Sequence, residues 1–262
     1  MKRCGLLGGL AAGLLFAVSS VPAAEPATPA ANAAAQDKAD TKSTDGSPAP
    51  EKAGSASTGG FSYRPPMRGA PAARIGGGTR GIGDMKLELV VLAPDHTGLT
   101  TREQPTLYWY VSKAVPSRLE VTVINDAAID PALEKELNAP GRAGIQSIDL
   151  AKTGVKLKPG VEYRWFVSAI ADPDQRSNDV VASGTIERIT PDAALKSKIA
   201  GANEYDLARV YAQAGVWYDT IDMLSRMIEK SPGDAALREQ RAELLEQVGL
   251  KSVADYTRAS GH

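Results

Sequence analysis

The sequence predicts a β + α fold, an antiparallel β-sandwich followed by a small α-helical repeat segment, and three observations carry that prediction. Across residues 86–190, short runs of β-branched and aromatic residues recur at sandwich spacing between Pro-Asp, Asn-Asp and Pro-Gly turns. After Ile189 the apolar period lengthens from two residues to about 3.6. Beyond Gly201, Tyr211, Gly215, Leu224 and Pro232 stand at the offsets of a helix-turn-helix repeat.

The chain opens with Met1-Lys2-Arg3 and an apolar run over residues 5–18, too short to span a bilayer. This is the pattern of a secretory signal peptide, residues 1–23. The small residues of Val21-Pro22-Ala23 place cleavage after Ala23 or Ala24. The single cysteine, Cys4, precedes the apolar core and is expected to leave with the signal. Cysteine nucleophiles, iron–sulfur clusters and thiolate zinc sites are then excluded together. Loss of Lys2 and Arg3 takes the formal charge from −1 to about −3, without the clustered cations that phosphate binding requires, so nucleic acid is not an expected partner. With 2 histidines in the whole chain, a histidine-rich metal site is not expected either.

Residues 24–84 read as a disordered Ala/Pro/Gly-rich tether. Residues 25–60 contain no Val, Leu, Ile, Met or aromatic residue, so burial cannot offset the entropy of ordering them. Within the Gly- and Pro-rich part that follows, Gly76-Gly77-Gly78-Thr79-Arg80-Gly81 fits G-x-G-x-x-G literally. A dinucleotide fingerprint follows a buried strand and opens a helix. This run follows coil and precedes a strand, so it reads as a tight glycine turn, with no cofactor expected.

The sandwich is placed at residues 85–190, with strands over 87–93, 106–111, 119–124, 145–149, 163–170 and 180–189. Alternation puts Leu107, Trp109 and Val111 on one face of their strand and Tyr108 and Tyr110 on the other. Tyr163, Trp165 and Val167 likewise share a face, and the two tryptophan-bearing strands are expected to face each other in one core. Leu157-Lys158-Pro159-Gly160-Val161-Glu162-Tyr163 resembles the tyrosine corner of fibronectin type III and related sandwiches, in which the phenol bonds back to upstream backbone. An Ig/fibronectin-III-like sandwich is the expected form, with a jelly-roll or other two-sheet arrangement as the alternative.

Helices are expected over 192–200, 203–214, 217–229 and 234–248, with Thr190-Pro191-Asp192 as a start signal. Setting Pro232 at the closing proline of a tetratricopeptide-like repeat puts Leu207 and Ala208 at packing positions of the first helix. It also puts Tyr211 at the aromatic position and Gly215 at the turn. A period of about 34 residues carries Ala208 to Ala242, Tyr211 to Leu245 and Gly215 to Gly249. Glu204, Thr220 and Met227 depart from the pattern. About one and a half repeats over 191–250 cannot bury a core alone, so the hairpin must dock, and residues 251–262 read as a flexible tail. On the first helix Tyr205, Arg209 and Gln213 lie one turn apart, a strip that reads either as a solvated helix face or as a site suited to an acidic group or a C-terminal carboxylate.

Two further clusters read as structural. Residues 172–179 gather carboxylates and amides but lack the ordered spacing of a calcium loop, and Arg176 is expected to pair with Asp172 or Asp174 in a self-bonded turn. His96, beside Asp95, has no serine elbow or second base and reads as a turn residue. No catalytic residue, cofactor or metal ligand is identified.

The ordered series of motifs resembles the bacterial "domain of unknown function 928" family of exported proteins. The series comprises Ile75-Gly76-Gly77-Gly78-Thr79-Arg80-Gly81, Leu92-Ala93-Pro94 with Gly98-Leu99-Thr100, and Gln104-Pro105-Thr106-Leu107-Tyr108-Trp109-Tyr110-Val111. It continues with Asp172-Pro173 and Arg176-Ser177, then Gly215-Val216-Trp217-Tyr218-Asp219. The resemblance implies a cysteine bridge that is missing here, because Met85 and Ala171 stand near the places of its cysteines. It brings no activity. The expectation is therefore a non-enzymatic periplasmic or secreted module that binds another envelope protein or peptide, without stable membrane insertion after signal cleavage. The alternative is carbohydrate or peptidoglycan binding by Tyr108 and Tyr110 on an open outer sheet face.

Overall fold

A computed structural model describes residues 61–66, 80–82, 85–115, 118–125, 127–170, 172 and 174–260. All of them belong to one unit, Ala56–His262. The expected signal peptide and residues 25–60 of the expected tether lie outside the described residues.

Strands β1 (Arg80–Ile82) and β2 (Met85–Leu87) form an antiparallel ribbon. A three-stranded sheet follows the order β3 (Leu89–Val91), β5 (Thr106–Val111) and β8 (Gly144–Asp149), all antiparallel. A five-stranded sheet runs β4 (Gly98–Thr100), β10 (Val180–Arg188), β9 (Glu162–Ala169), β6 (Leu119–Ile124) and β7 (Leu133–Leu137), with only the β4–β10 pair parallel. In β6 the alternation is simple: Leu119, Val121 and Val123 face inward while Glu120, Thr122 and Ile124 are half-buried. Trp109 and Trp165 both enter the same hydrophobic cluster, as the pattern predicts. The corner contact is also present, with the Lys158 N–H donating to the Tyr163 hydroxyl at 3.2 Å.

Five helices follow: α1 (Ala193–Gly201), α2 (Glu204–Gln213), α3 (Trp217–Lys230), α4 (Ala235–Gln247) and α5 (Lys251–Ala259). Asp192, Asn203 and Asp234 cap α1, α2 and α4 by accepting N–H bonds in the first turn. Pro191 therefore precedes the cap of α1 rather than occupying its first helical position. The residues expected to be a flexible tail form α5, which buries Val253, Ala254 and Thr257. The correction has a local cause, since Val253, Ala254 and Thr257 fall on one helical face and are buried. The turns after α2 and α4 are copies of each other. Gly215 and Gly249 have φ of 73° and 75°, and Val216 and Leu250 donate back to Tyr211 and Leu245, each at 2.9 Å.

Sheets and helices share one core, so residues 190/191 mark no packing boundary. Trp217 Nε1 donates to the Leu92 carbonyl at 2.8 Å, and Trp165 Nε1 donates to the Tyr218 hydroxyl at 2.8 Å. That hydroxyl donates onward to the Thr185 carbonyl at 2.9 Å. The approach is close enough that a Cβ on Gly98 would stand 2.5 Å from the Tyr218 ring. Order also reaches back into the expected tether. Phe61 and Tyr63 are buried, and the edge of Tyr63 packs on Trp217 with ring centroids 5.1 Å apart. The backbone of this segment bonds to the helices: Phe61 N–H to Glu243, Tyr63 N–H to Gln247, and Arg64 N–H to the Ala212 carbonyl.

Candidate partner-binding surface

The strip read from the sequence is in place and open. Helix α2 turns Ala208, Tyr211 and Ala212 inward, and Tyr205, Arg209 and Gln213 are exposed along the flank of that buried face. Tyr205 is 58% exposed, one of few large hydrophobic side chains so placed among the described residues. Gln213 also lines a cleft of about 410 Å³ whose walls include Arg64, Thr190, Lys198 and Val210. Tyr205 and Arg209 lie outside that lining, so the strip and the cleft meet only at Gln213. The cations Arg64 and Lys198 give the cleft a positive wall, opposed by Asp192, whose carboxylate already caps α1.

The tyrosines expected on an open sheet face are covered. All six residues of β5 are buried, because α3 and α5 lie over the face that alternation assigned to solvent. Tyr108 donates its hydroxyl to Asp222 Oδ1 at 2.9 Å, and Tyr110 packs on Tyr256 with centroids 4.9 Å apart. Burial, then the Asp222 charge, raises the Tyr108 pKa, so the phenol stays a donor. Neither ring is available to stack on a sugar, and the carbohydrate reading built on them is overturned.

Beneath α3 lies a polar clamp that sequence reasoning missed. Asp219 and Asp222, one turn apart and almost fully buried, face the connection between β4 and β5. Asp219 accepts from the Thr101 N–H at 2.9 Å and the Thr101 hydroxyl at 2.8 Å. Asp222 accepts from Tyr108, from Arg102 Nη1 at 2.6 Å and from Arg226 Nε at 2.9 Å. Burial raises the Asp219 carboxyl above the usual range, against the bonds from Thr100 and Thr101 and the Arg102 charge. Each carboxylate is spent on protein donors, so the pair joins helix to sheet rather than meeting a substrate. Only the Asp222–Arg226 spacing, four residues on one helix, was legible beforehand.

The remaining sequence candidates are structural too. His96 Nε2 pairs with the Tyr63 hydroxyl at 2.9 Å and Nδ1 with Asp95 at 3.1 Å, which fastens the 61–66 segment. Arg176 pairs with Asp179 at 2.6 Å and with Glu120 at 3.1 Å instead of Asp172 or Asp174. Asp172 bonds the Asp174 N–H as a self-bonded turn, because the arginine reaches across to β6. Among the described residues no group of three or more His, Cys, Asp or Glu is placed to hold a metal, and no helix is long and apolar enough to cross a membrane. Residues 76–79 of the glycine run lie outside the described residues, and Arg80 and Gly81 continue into strand rather than helix.

No curated protein matches the chain. Among solved structures, a multi-domain immunophilin from Arabidopsis thaliana is similar over 74% of this chain and 98% of that one, at 9% identity. Its TM-score of 0.17 is too low for the likeness to carry an argument. The model of the family described as Domain of Unknown Function (DUF928) matches residues 75–257, well over half of the chain, and the chain belongs to that family.

Proposed function

We propose that this chain is a non-enzymatic, exported binding or scaffolding module of the bacterial cell envelope, and that it engages a protein or peptide partner through α2. The observation that carries this reading is the open strip of Tyr205, Arg209 and Gln213, with every other aromatic ring among the described residues buried or half-buried. An exposed tyrosine beside an arginine is the composition of an interface anchor rather than of a solvated helix face. The positive wall of the adjoining cleft favours an acidic segment or a C-terminal carboxylate. The docking of residues 61–66 supports the same reading, since α2 and α4 already hold an extended backbone by direct bonds.

The finer architecture belongs to the same proposal. The order β3-β5-β8 against β4-β10-β9-β6-β7, with the corner tyrosine near the start of β9, supports an Ig/fibronectin-III-like sandwich. The matched turns at Gly215 and Gly249 support two tetratricopeptide-like hairpins. Export is inferred from the first 23 residues of the sequence alone.

Because the helices complete the sheet core, removing them is not a usable test. A photo-reactive phenylalanine analogue in place of Tyr205 should cross-link a discrete envelope protein in intact cells, and Arg209→Glu should abolish the adduct. An analogue at exposed Lys152, in the turn that follows β8, serves as the control. Equal adducts from both positions, or none from Tyr205, would remove the proposal.

A further inference from the structure

Arg241 lies in α4 one repeat period after Leu207, so a guanidinium occupies the position at which the first hairpin carries a leucine. It is 7% exposed. Its Nη1 donates to the Ser225 hydroxyl at 3.3 Å, a long bond, and its Nε meets no acceptor among the described residues. No carboxylate among them lies within ion-pair distance of it. Burial lowers its pKa to about 10, which still leaves it charged at neutral pH. A buried cation without a direct ion pair is costly to a fold, and cations so placed are normally paired. Neither packing nor pairing accounts for an arginine here.

The side chain forms part of the wall of a cavity of about 210 Å³ between the β5–β8 face and helices α3, α4 and α5. Gln146, Ser147 and Ser225 supply polar groups to that wall, and Ile145 and Ile228 supply apolar ones. The volume holds about seven groups of the size of water at roughly 30 Å³ each. Glu229 shares the lining beyond ion-pair distance and its charge partly offsets that of Arg241, so a dianion is disfavoured and the ligand carries at most one negative charge.

We infer that this cavity is a binding site for an organic carboxylate, in which Arg241 takes the carboxylate and Ile145 and Ile228 take a short hydrocarbon stem. The carboxylate belongs either to a free small molecule or to the C-terminus of a peptide. The site is separate from the α2 strip, and loss of cross-linking at Tyr205 leaves it standing.

The test uses the full chain at constant ionic strength, with sodium butyrate, sodium phosphate and sodium chloride compared, and a short peptide with a free C-terminus set against its amidated form. Butyrate or the free-terminus peptide should raise the melting temperature saturably over chloride. Arg241→Leu, which restores the residue of the first hairpin, should melt no lower than the parent without ligand and show no carboxylate response. Should that variant fail to fold, the ¹⁵N resonance of Arg241 Nε in the parent gives the same answer, by shifting on titration with butyrate or peptide. A response to butyrate alone identifies a small molecule, and a response to the free but not the amidated peptide identifies a chain terminus. The inference is overturned by the absence of any carboxylate response, by a response only to phosphate, or by an undiminished response in Arg241→Leu.

Discussion

The two helical hairpins, α2–α3 and α4–α5, share a turn down to its backbone bonds, yet they are held in place in opposite ways. The inner helix of the first, α3, buries ten of its 14 residues, among them Trp217, Tyr218, Asp219 and Asp222. Its counterpart α5 buries three. The first hairpin is thus a layer of the sheet core, while the second packs on it through Leu244, Leu245 and Val253, with Tyr256 at its edge and residues 61–66 as a strap. The same backbone turn therefore serves two hairpins whose inner helices differ in how much they bury. Thr220, which replaces a small residue, turns its hydroxyl back to the Val216 carbonyl at 2.7 Å and stays buried.

The largest expected effect tests that contrast directly. Trp217→Ala should cost about 3–5 kcal/mol, the usual range for a large aromatic removed from a packed core, because it also strands the Leu92 carbonyl. Tyr256→Ala, at the half-buried edge of the second hairpin, should cost about 1 kcal/mol, in line with an ordinary single substitution. Urea unfolding of the two variants measures the difference, and equal costs would mean that both hairpins belong equally to the core.

The next effect comes from the clamp. Asp222→Ala leaves the Tyr108 hydroxyl and the Arg102 and Arg226 guanidiniums without their shared acceptor, for an expected loss of about 3 kcal/mol, the low end for breaking a buried charged pair. A double-mutant cycle with Tyr108→Phe isolates the sheet contact, and additive losses would show that Asp222 serves only its own helix.

The two turn glycines sharpen the comparison further. Each sits at positive φ, so alanine at either should cost about 1 kcal/mol through the backbone. At Gly215 a Cβ would also stand 2.7 Å from the Arg64 carbonyl oxygen. Gly215→Ala should therefore cost more than Gly249→Ala in a chain that keeps residues 61–66. The two costs should converge once Arg64 and Pro66 are removed by truncation. A gap that persists after truncation would place the strain elsewhere.

Much of this was legible in the sequence, and what was not has definite causes. Strands 106–111 and 119–124 follow from composition and spacing, and four helices follow from periodicity, caps and glycines. Strand β7 reads Leu-Glu-Lys-Glu-Leu, an edge whose charged face outweighs its two half-buried leucines, so no apolar run announces it. Strand β4 is three residues long and includes Gly98, which is there because Tyr218 comes so close. Period-two alternation gave the correct faces of β5 but not their surroundings, since a sheet face covered by helices and one open to water alternate alike. The same limit hid Asp219 and Asp222, whose partners on the sheet side are more than 100 residues away in sequence. The strip of α2 was visible because it needs only its own helix.

The smallest effect is the most specific. The Asp219 carboxyl is raised above its ordinary value chiefly by burial, so over the interval above about 3.9 the folded chain keeps a proton that the unfolded chain has lost. Where the native state binds more protons, stability falls as pH rises. Acidification from pH 7 toward 4 should therefore favour the parent over Asp219→Asn, which keeps an acceptor for the Thr101 N–H but has nothing to titrate. Glu239 and Glu246, held below their ordinary values by Arg258, change stability in the opposite sense, but they do so in both proteins and cancel in the difference. The quantity to follow is the melting-temperature gap between parent and variant across that range. A gap that moves in the parent's favour with acid assigns that slope to the buried carboxyl of Asp219; a constant gap would show that the donors around Asp219 fully offset its burial.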